Sequence, residues 1–152
     1  MICAGVVLDR GHYIGQCRAM THKFPLRVYY EDTDLAGIVY YANYLKFIER
    51  GRSEMLRDRG IDQGAIRQED GVVFAVRRVE ADYLKPALFD DELVVESGVK
   101  SVGGARIELT QNVVRDSAIL FSSTVTIVAL STDGRPARLP AKVRLALGSS
   151  DN

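Results

Sequence analysis

From residue 72 to residue 130 the chain reads as four consecutive strands, and this pattern limits the possible folds more than any other. Val72–Tyr83 is β-branched and aromatic and is closed by Pro86; residues 93–101 run into Gly103-Gly104. Arg106–Arg115 leads to Asp116-Ser117, and residues 119–130 stop at Thr132-Asp133-Gly134-Arg135-Pro136. Connections this short do not accommodate the crossover that parallel neighbours need, so antiparallel pairing follows. Ile107, Leu109, Gln111 and Val113 alternate with Arg106, Glu108, Thr110 and Asn112. That period of two marks a sheet with one buried face.

The cover for that face lies upstream. Residues 26–33 read as a first strand, with Val28 and two tyrosines supplying β-propensity. Between 43 and 59 the spacing becomes helical: Tyr44, Ile48, Met55 and Arg59 form one stripe, with Leu45, Gly51 and Leu56 beside it. Asn43 is a good N-cap type and Gly60 a good residue just past the helix end. Gly51 within the helix costs up to about 1 kcal/mol relative to Ala, which close packing on a sheet would explain. Shorter helical pieces are expected at 62–68 and 140–147. One long helix covers one face of a five-stranded antiparallel sheet if the sheet curls around it, which is an α+β fold.

The chain has 152 residues, enough for one domain with a real core. Residues 20–148 read as that single domain, and residues 1–19 as an N-terminal extension, poorly ordered unless it docks. Residues 2–8 are mostly apolar but lack a basic flank and run into Asp9-Arg10, unlike a signal peptide. Cys3 and Cys17 both lie in that head, which argues against a disulfide framework and fits a reducing cytoplasm. Lys+Arg and Asp+Glu both total 20, so charge gives no reason to expect nucleic-acid binding. No apolar run is long enough to span a bilayer, which needs about 20 residues.

Residues 27–44 carry the chemistry. Asp34 is followed by a small Leu-Ala-Gly stretch and then by the start of the long helix. Three readings of Asp34 stand side by side. It can cap a turn or the helix. With Glu31 and Asp32 it can contribute to a metal site, although no His or Cys is near and hard cations need more oxygen ligands. Or it is a catalytic carboxylate beside the free N–H groups of a helix start, a place suited to a developing oxyanion.

Arg27, Val28, Thr33, Asp34, Gly37, Ile38, Val39, Tyr41, Asn43 and Tyr44 together resemble the signature of the 4-hydroxybenzoyl-CoA thioesterase family, of the hotdog fold. Phe74-Ala75-Val76-Arg77-Arg78, Tyr83-Leu84-Lys85-Pro86-Ala87, Asp90-Asp91-Glu92-Leu93 and Arg138-Leu139-Pro140 resemble its YbgC-type branch, acyl-CoA thioesterases associated with Tol–Pal gene clusters. The resemblance covers residues 20–145. It implies a hotdog, with active sites at the interface of two copies that pair edge to edge and associate into dimers or tetramers. It also implies thioester hydrolysis with no cofactor and no metal. Asp34 would be nucleophile or general base, and the Tyr41 backbone N–H would polarise the carbonyl. Many members of the branch have His where this chain has Tyr41, so no imidazole is available there.

Around these two, Gly37 allows a tight turn, and Tyr40 with Tyr41 can shape an acyl or aryl pocket. Coenzyme A carries phosphates, which makes Lys100 and Arg106, beside the Gly103-Gly104 turn, and Arg77 candidate contacts. Arg77 and Arg78 are strand neighbours and face opposite ways. The expected partners are an acyl-CoA substrate, further copies of the chain and acyl carrier protein. Nucleic acid is not expected, and any membrane association would be peripheral, at the inner membrane. The rival from another class is a hotdog that binds acyl-CoA or acyl carrier protein without hydrolysis; retention of Asp34 speaks against it.

Overall fold

The computed structural model describes residues 21–148; the expected extension at 1–19 and both cysteines lie outside the described residues. The elements run β1 (His22–Arg27), α1 (Asn43–Asp58), α2 (Gln63–Asp70), β2 (Val72–Tyr83), β3 (Glu92–Val102), β4 (Arg106–Arg115), β5 (Ala118–Ser131) and α3 (Ala141–Gly148). All five strands form one antiparallel sheet in the order β1-β3-β4-β5-β2. The helix α1 packs on β1, β3 and β4, and α2 packs on β2. The strand–helix–four-strand order read from the sequence therefore holds. No described helix is long and apolar enough to cross a membrane.

The first strand differs from its expected place at 26–33. It ends at Arg27, and residues 30–32 turn into a single 3₁₀ turn. The Asp32 carboxylate accepts the Tyr29 N–H at 2.8 Å, and Thr33 Oγ1 donates to the Tyr30 carbonyl at 2.9 Å. These local side-chain bonds give the backbone an alternative to the ladder and override the β-propensity of the two tyrosines.

Asn43 is not the N-cap either. It is the first helical residue; Ala42 precedes it with no side-chain cap, and the Asn43 amide is buried and donates to the Asp32 carbonyl at 2.9 Å. The side chain ties the helix to the preceding turn, where an unpaired buried carbonyl would be costly. The far end is as expected. Gly60 has φ +75°, its N–H donates to the Arg57 carbonyl at 2.9 Å, and the Ile61 N–H reaches back to Leu56 at 2.9 Å, a Schellman closure.

The buried face of α1 comprises Asn43, Tyr44, Phe47, Ile48, Gly51, Met55 and Leu56. Phe47 belongs on the stripe and Leu45, which is exposed, does not. Gly51 has the sheet contact its position demands: a Cβ there would sit 2.5 Å from Val95 Cγ1. Beside it lies fully buried Gln111, the polar member of the β4 alternation. Its Nε2 donates to the Ile48 carbonyl and to Ser97 Oγ, both at 2.8 Å, and its Oε1 accepts Arg52 Nη1 at 2.8 Å. Burial pulls the Arg52 guanidinium below its ordinary pKa, with Glu49 acting against that shift. Gln111 is thus a polar bolt between helix and sheet, and each of its amide atoms is bonded.

Candidate active site

Residues 33–39 form a miniature hairpin. Thr33 and Val39 are bridged, the Asp34 N–H donates to Ile38 at 2.9 Å, and the Gly37 N–H donates to the Asp34 carbonyl at 3.0 Å. Gly37 sits at φ +79°, in the left-handed region, within the tight turn its sequence position suggested. The hairpin is strapped from both sides. The Tyr40 N–H donates to the Asp32 carbonyl and the Val39 N–H to Ala87, both at 2.8 Å, while Ile38 bridges Leu88. The segment 84–91 is itself held. Its Ala87 N–H donates to Tyr44 Oη at 3.0 Å, and Asp91 accepts both the Leu88 N–H, at 2.8 Å, and Arg115. Burial raises the Tyr44 phenol, against the Ala87 hydrogen bond and the Arg115 charge.

At the tip the Asp34 carboxylate is half-buried, and Oδ1 accepts the Ala36 N–H at 2.9 Å. Oδ2 has no hydrogen-bond partner among the described residues. Asp32 is turned inward onto Tyr29 and Glu31 is exposed, so the three neighbouring carboxylates do not converge. Among the described residues no group of three or more His, Cys, Asp or Glu side chains is placed to hold a metal ion.

Seven residues after Asp34, just before α1, the Tyr41 N–H is unpaired among the described residues. The tyrosine rings here are largely exposed and form a connected cluster. Tyr40 meets Tyr41 edge-on at 4.9 Å, Tyr41 meets Tyr83 at 6.1 Å, and Tyr83 contacts Tyr44 and Phe121. The Tyr40 phenol is raised by the charge of Tyr41 and a hydrogen bond with it, then by burial and by the Asp34 charge. Asp34, Gly37, Tyr40 and Tyr41 are therefore one neighbourhood.

The three basic candidates lie elsewhere. Arg77 occupies the β2 bulge between Val76 and Arg78, Lys100 the β3 bulge between Val99 and Ser101, and Arg106 opens β4. They cluster around the row Val102–Ile107–Ile127–Val76, whereas Tyr83 lies on the row Val113–Phe121–Tyr83. Six residues of β4 separate the rows, about 20 Å at 3.3 Å per residue. Within one chain these cations do not reach Asp34. Near them, between α1, α3 and the sheet, is a cavity of about 250 Å³ lined by Arg52, Phe74, Ile107, Leu109 and Leu147 among others. None of the seven residues singled out from the sequence lines it. The reading of the sequence also passed over Tyr83, Tyr44 and Arg115 as supports of the site. Their partners stand 42, 43 and 24 residues away, a separation with no local signature.

The long helix on a five-stranded antiparallel sheet, with a turn-borne carboxylate at the helix start, defines the hotdog class of thioesterases. Residues 36–121 match the model of the thioesterase superfamily that includes the 4-hydroxybenzoyl-CoA enzymes, and the chain belongs to that family, in its YbgC-type branch. It is 40% identical over 124 residues to the acyl-CoA thioesterase YbgC of Haemophilus influenzae, covering 81% of this chain and 91% of that one. It is 37% identical over 123 residues to the acyl-CoA thioester hydrolase YbgC of Escherichia coli O157:H7, with 80% and 91% covered. Among solved structures it superposes on a probable thioesterase from Bartonella henselae with a TM-score of 0.77 at 37% identity, over 80% of this chain and 100% of that one.

Proposed function

We propose that the protein hydrolyses the thioester of short or medium acyl-CoA, or of aryl-CoA, to the free acid and CoA. The observation that carries this reading is the pairing, in one strapped loop, of a carboxylate with one oxygen unengaged among the described residues and a backbone N–H, likewise unengaged among them, at a helix start. The kinship with acyl-CoA thioesterases supports the substrate class.

Asp34 Oδ1 is held by Ala36, which leaves Oδ2 to act. As nucleophile, Oδ2 adds to the carbonyl carbon, the C–S bond breaks and CoA leaves as thiolate; water then cleaves the mixed anhydride. As general base, Oδ2 takes a proton from the water that attacks. In both, the carbonyl oxygen gains negative charge that the Tyr41 N–H stabilises, a donor worth roughly 2.7–4 kcal/mol in the transition state. Single turnover in ¹⁸O-water separates the routes, because label entering the Asp34 side chain marks the nucleophile. The reading is tested by a free-thiol assay over aliphatic and aromatic CoA thioesters; binding without thiol release from any of them would leave a non-catalytic acyl-binding module instead.

The working unit in this reading is a pair of copies joined through β2. That strand is at the sheet edge, is 12 residues long and exposes Val76, Val79 and Tyr83. Long apolar edges call for a cover. A two-fold, antiparallel pairing lays the Tyr83 end of one β2 beside the opposite end of the other. Arg77, Lys100, Arg106 and the cavity of one copy then approach the Asp34 loop of its mate, which gives the three cations a route to CoA phosphates. Val79→Pro, which breaks the edge ladder, should yield monomers with no thioesterase activity in sedimentation and turnover assays. An active monomer would end the two-copy reading.

A further inference from the structure

The helix α1 opens on Asn43 with Ala42 at its N-cap, so the Tyr41 carbonyl lies before the ladder and is offered no helical N–H. The Leu45 N–H, one of the four that a helix start leaves without an i−4 partner, bonds to Ala42 at 3.2 Å in a 3₁₀ step. The donor that the Tyr41 carbonyl has among the described residues is a side chain from the edge strand β2: Tyr83 Oη, at 3.0 Å. The ring that delivers this hydroxyl is fixed by edge contacts with Tyr44 at 5.6 Å, Phe121 at 5.1 Å and Tyr41 at 6.1 Å. Burial, then the charges of Tyr41 and Tyr44, raise the Tyr83 phenol, so it stays a donor through neutral and mildly alkaline pH.

The hydroxyl acts on the two peptide groups that flank Tyr41. It anchors the Tyr41–Ala42 peptide and so restrains the torsion that orients the adjoining Tyr40–Tyr41 peptide, whose N–H is the proposed oxyanion donor. It also polarises the anchored peptide, and the Ala42 N–H on its other side has no partner among the described residues. A carbonyl that accepts a hydrogen bond makes its own N–H a better donor. We propose that Tyr83 is a positioning residue for thioester cleavage, holding the start of α1 so that the Tyr41 and Ala42 N–H groups together face the developing oxyanion. This deepens the reading given above and rests on it.

Tyr83→Phe removes the hydroxyl and keeps the ring, so the aromatic packing and Tm should stay as they are. Its kcat should fall about three- to tenfold, the worth of one neutral hydrogen bond, with KM unchanged. A second readout uses the Asp34→Asn protein with bound benzoyl-CoA, followed by the infrared stretch of the thioester carbonyl. Adding Tyr83→Phe should move that band back toward its position in free benzoyl-CoA, since the carbonyl is then less polarised. An unchanged kcat together with an unchanged band overturns the role of Tyr83, as does a loss of kcat that tracks a loss of Tm. Full turnover by Asp34→Asn alone overturns the parent reading instead, while kcat and Tm of the single Tyr83→Phe protein still decide whether the Tyr83 hydroxyl acts on the start of α1.

Discussion

The start of α1 and its middle are built in opposite ways. In the middle, Gly51 lets the helix backbone meet Val95, and both amide atoms of Gln111 are bonded, to Ile48, Ser97 and Arg52. At the start, Asp34 Oδ2 and the Tyr41 N–H have no partner among the described residues, and Leu35, Tyr40 and Tyr41 are exposed. Satisfied polar groups specify a core; groups left open on a strapped loop are available to a ligand. Mutations at the two places should therefore divide cleanly, with activity lost at one and stability at the other.

The largest effect is expected at Asp34. Asp34→Asn keeps the size of the side chain and the bond from Ala36, but it removes both nucleophile and base. Turnover should fall at least about 10²–10⁴-fold, while thermal unfolding and acyl-CoA binding stay near wild type. Near-normal turnover, or a large loss of Tm, would break the division at its functional end. Next comes Gly51→Ala. On an open helix face that change stabilises by up to about 1 kcal/mol. Here the new Cβ would stand 2.5 Å from Val95 Cγ1 and 2.9 Å from Val95 Cβ, so the sign should reverse to a loss of about 1–3 kcal/mol. Pairing it with Val95→Ala should recover part of that loss, as a double-mutant cycle in denaturant would show. Gln111→Leu should follow. It has similar volume, but it takes the acceptor from one Arg52 nitrogen and the donor from Ser97 Oγ, and the Ile48 carbonyl keeps only its helical bond, at about 1–3 kcal/mol. Activity per folded molecule should survive both changes.

The same division explains what the sequence made legible. The β4 alternation is a repeated signal, and each of Ile107, Leu109, Gln111 and Val113 is buried. Four of the five strands and α1 lie within two residues of their expected bounds: in α1 and β4 burial follows a period along the element, whereas β2, whose burial does not alternate, is marked by its β-branched and aromatic run and by Pro86. The candidate site could be proposed from local order alone, because Asp34, Gly37, Tyr40 and Tyr41 lie within one short stretch between the 34–37 turn and the start of α1. Two kinds of contact were not legible. The 3₁₀ turn at 30–32 rests on particular Asp and Thr side chains, which compete with propensity one at a time. The bonds from Tyr83 to Tyr41 and from Ala87 to Tyr44 join positions that only the completed sheet brings together. Asn43 shows both at once, since its type suits a cap yet its amide is spent on a carbonyl 11 residues upstream.

The smallest expected effect falls at Gly37, where the two regimes meet. A Cβ built there touches nothing within 4 Å, so no clash is at stake and backbone conformation alone decides the outcome. At φ +79° an L-residue is disfavoured by about 1–2 kcal/mol, least so for Asn, whose side chain tolerates the left-handed region. Gly37→Ala should therefore lower stability by about 1 kcal/mol and Gly37→Asn by less. The penalty is local, and part of it can be relieved by opening the Asp34–Gly37 turn rather than by unfolding the domain. That opening would release the Asp34 carbonyl from Gly37 and loosen the carboxylate, so kcat should drop by a larger factor in the Ala variant than in the Asn variant. Parallel measurements of Tm and kcat on the pair test this ordering. If Ala and Asn were equally active despite unequal stability, the turn would be no more than a connection, and the carboxylate would be held by the straps from Asp32 and Ala87 alone.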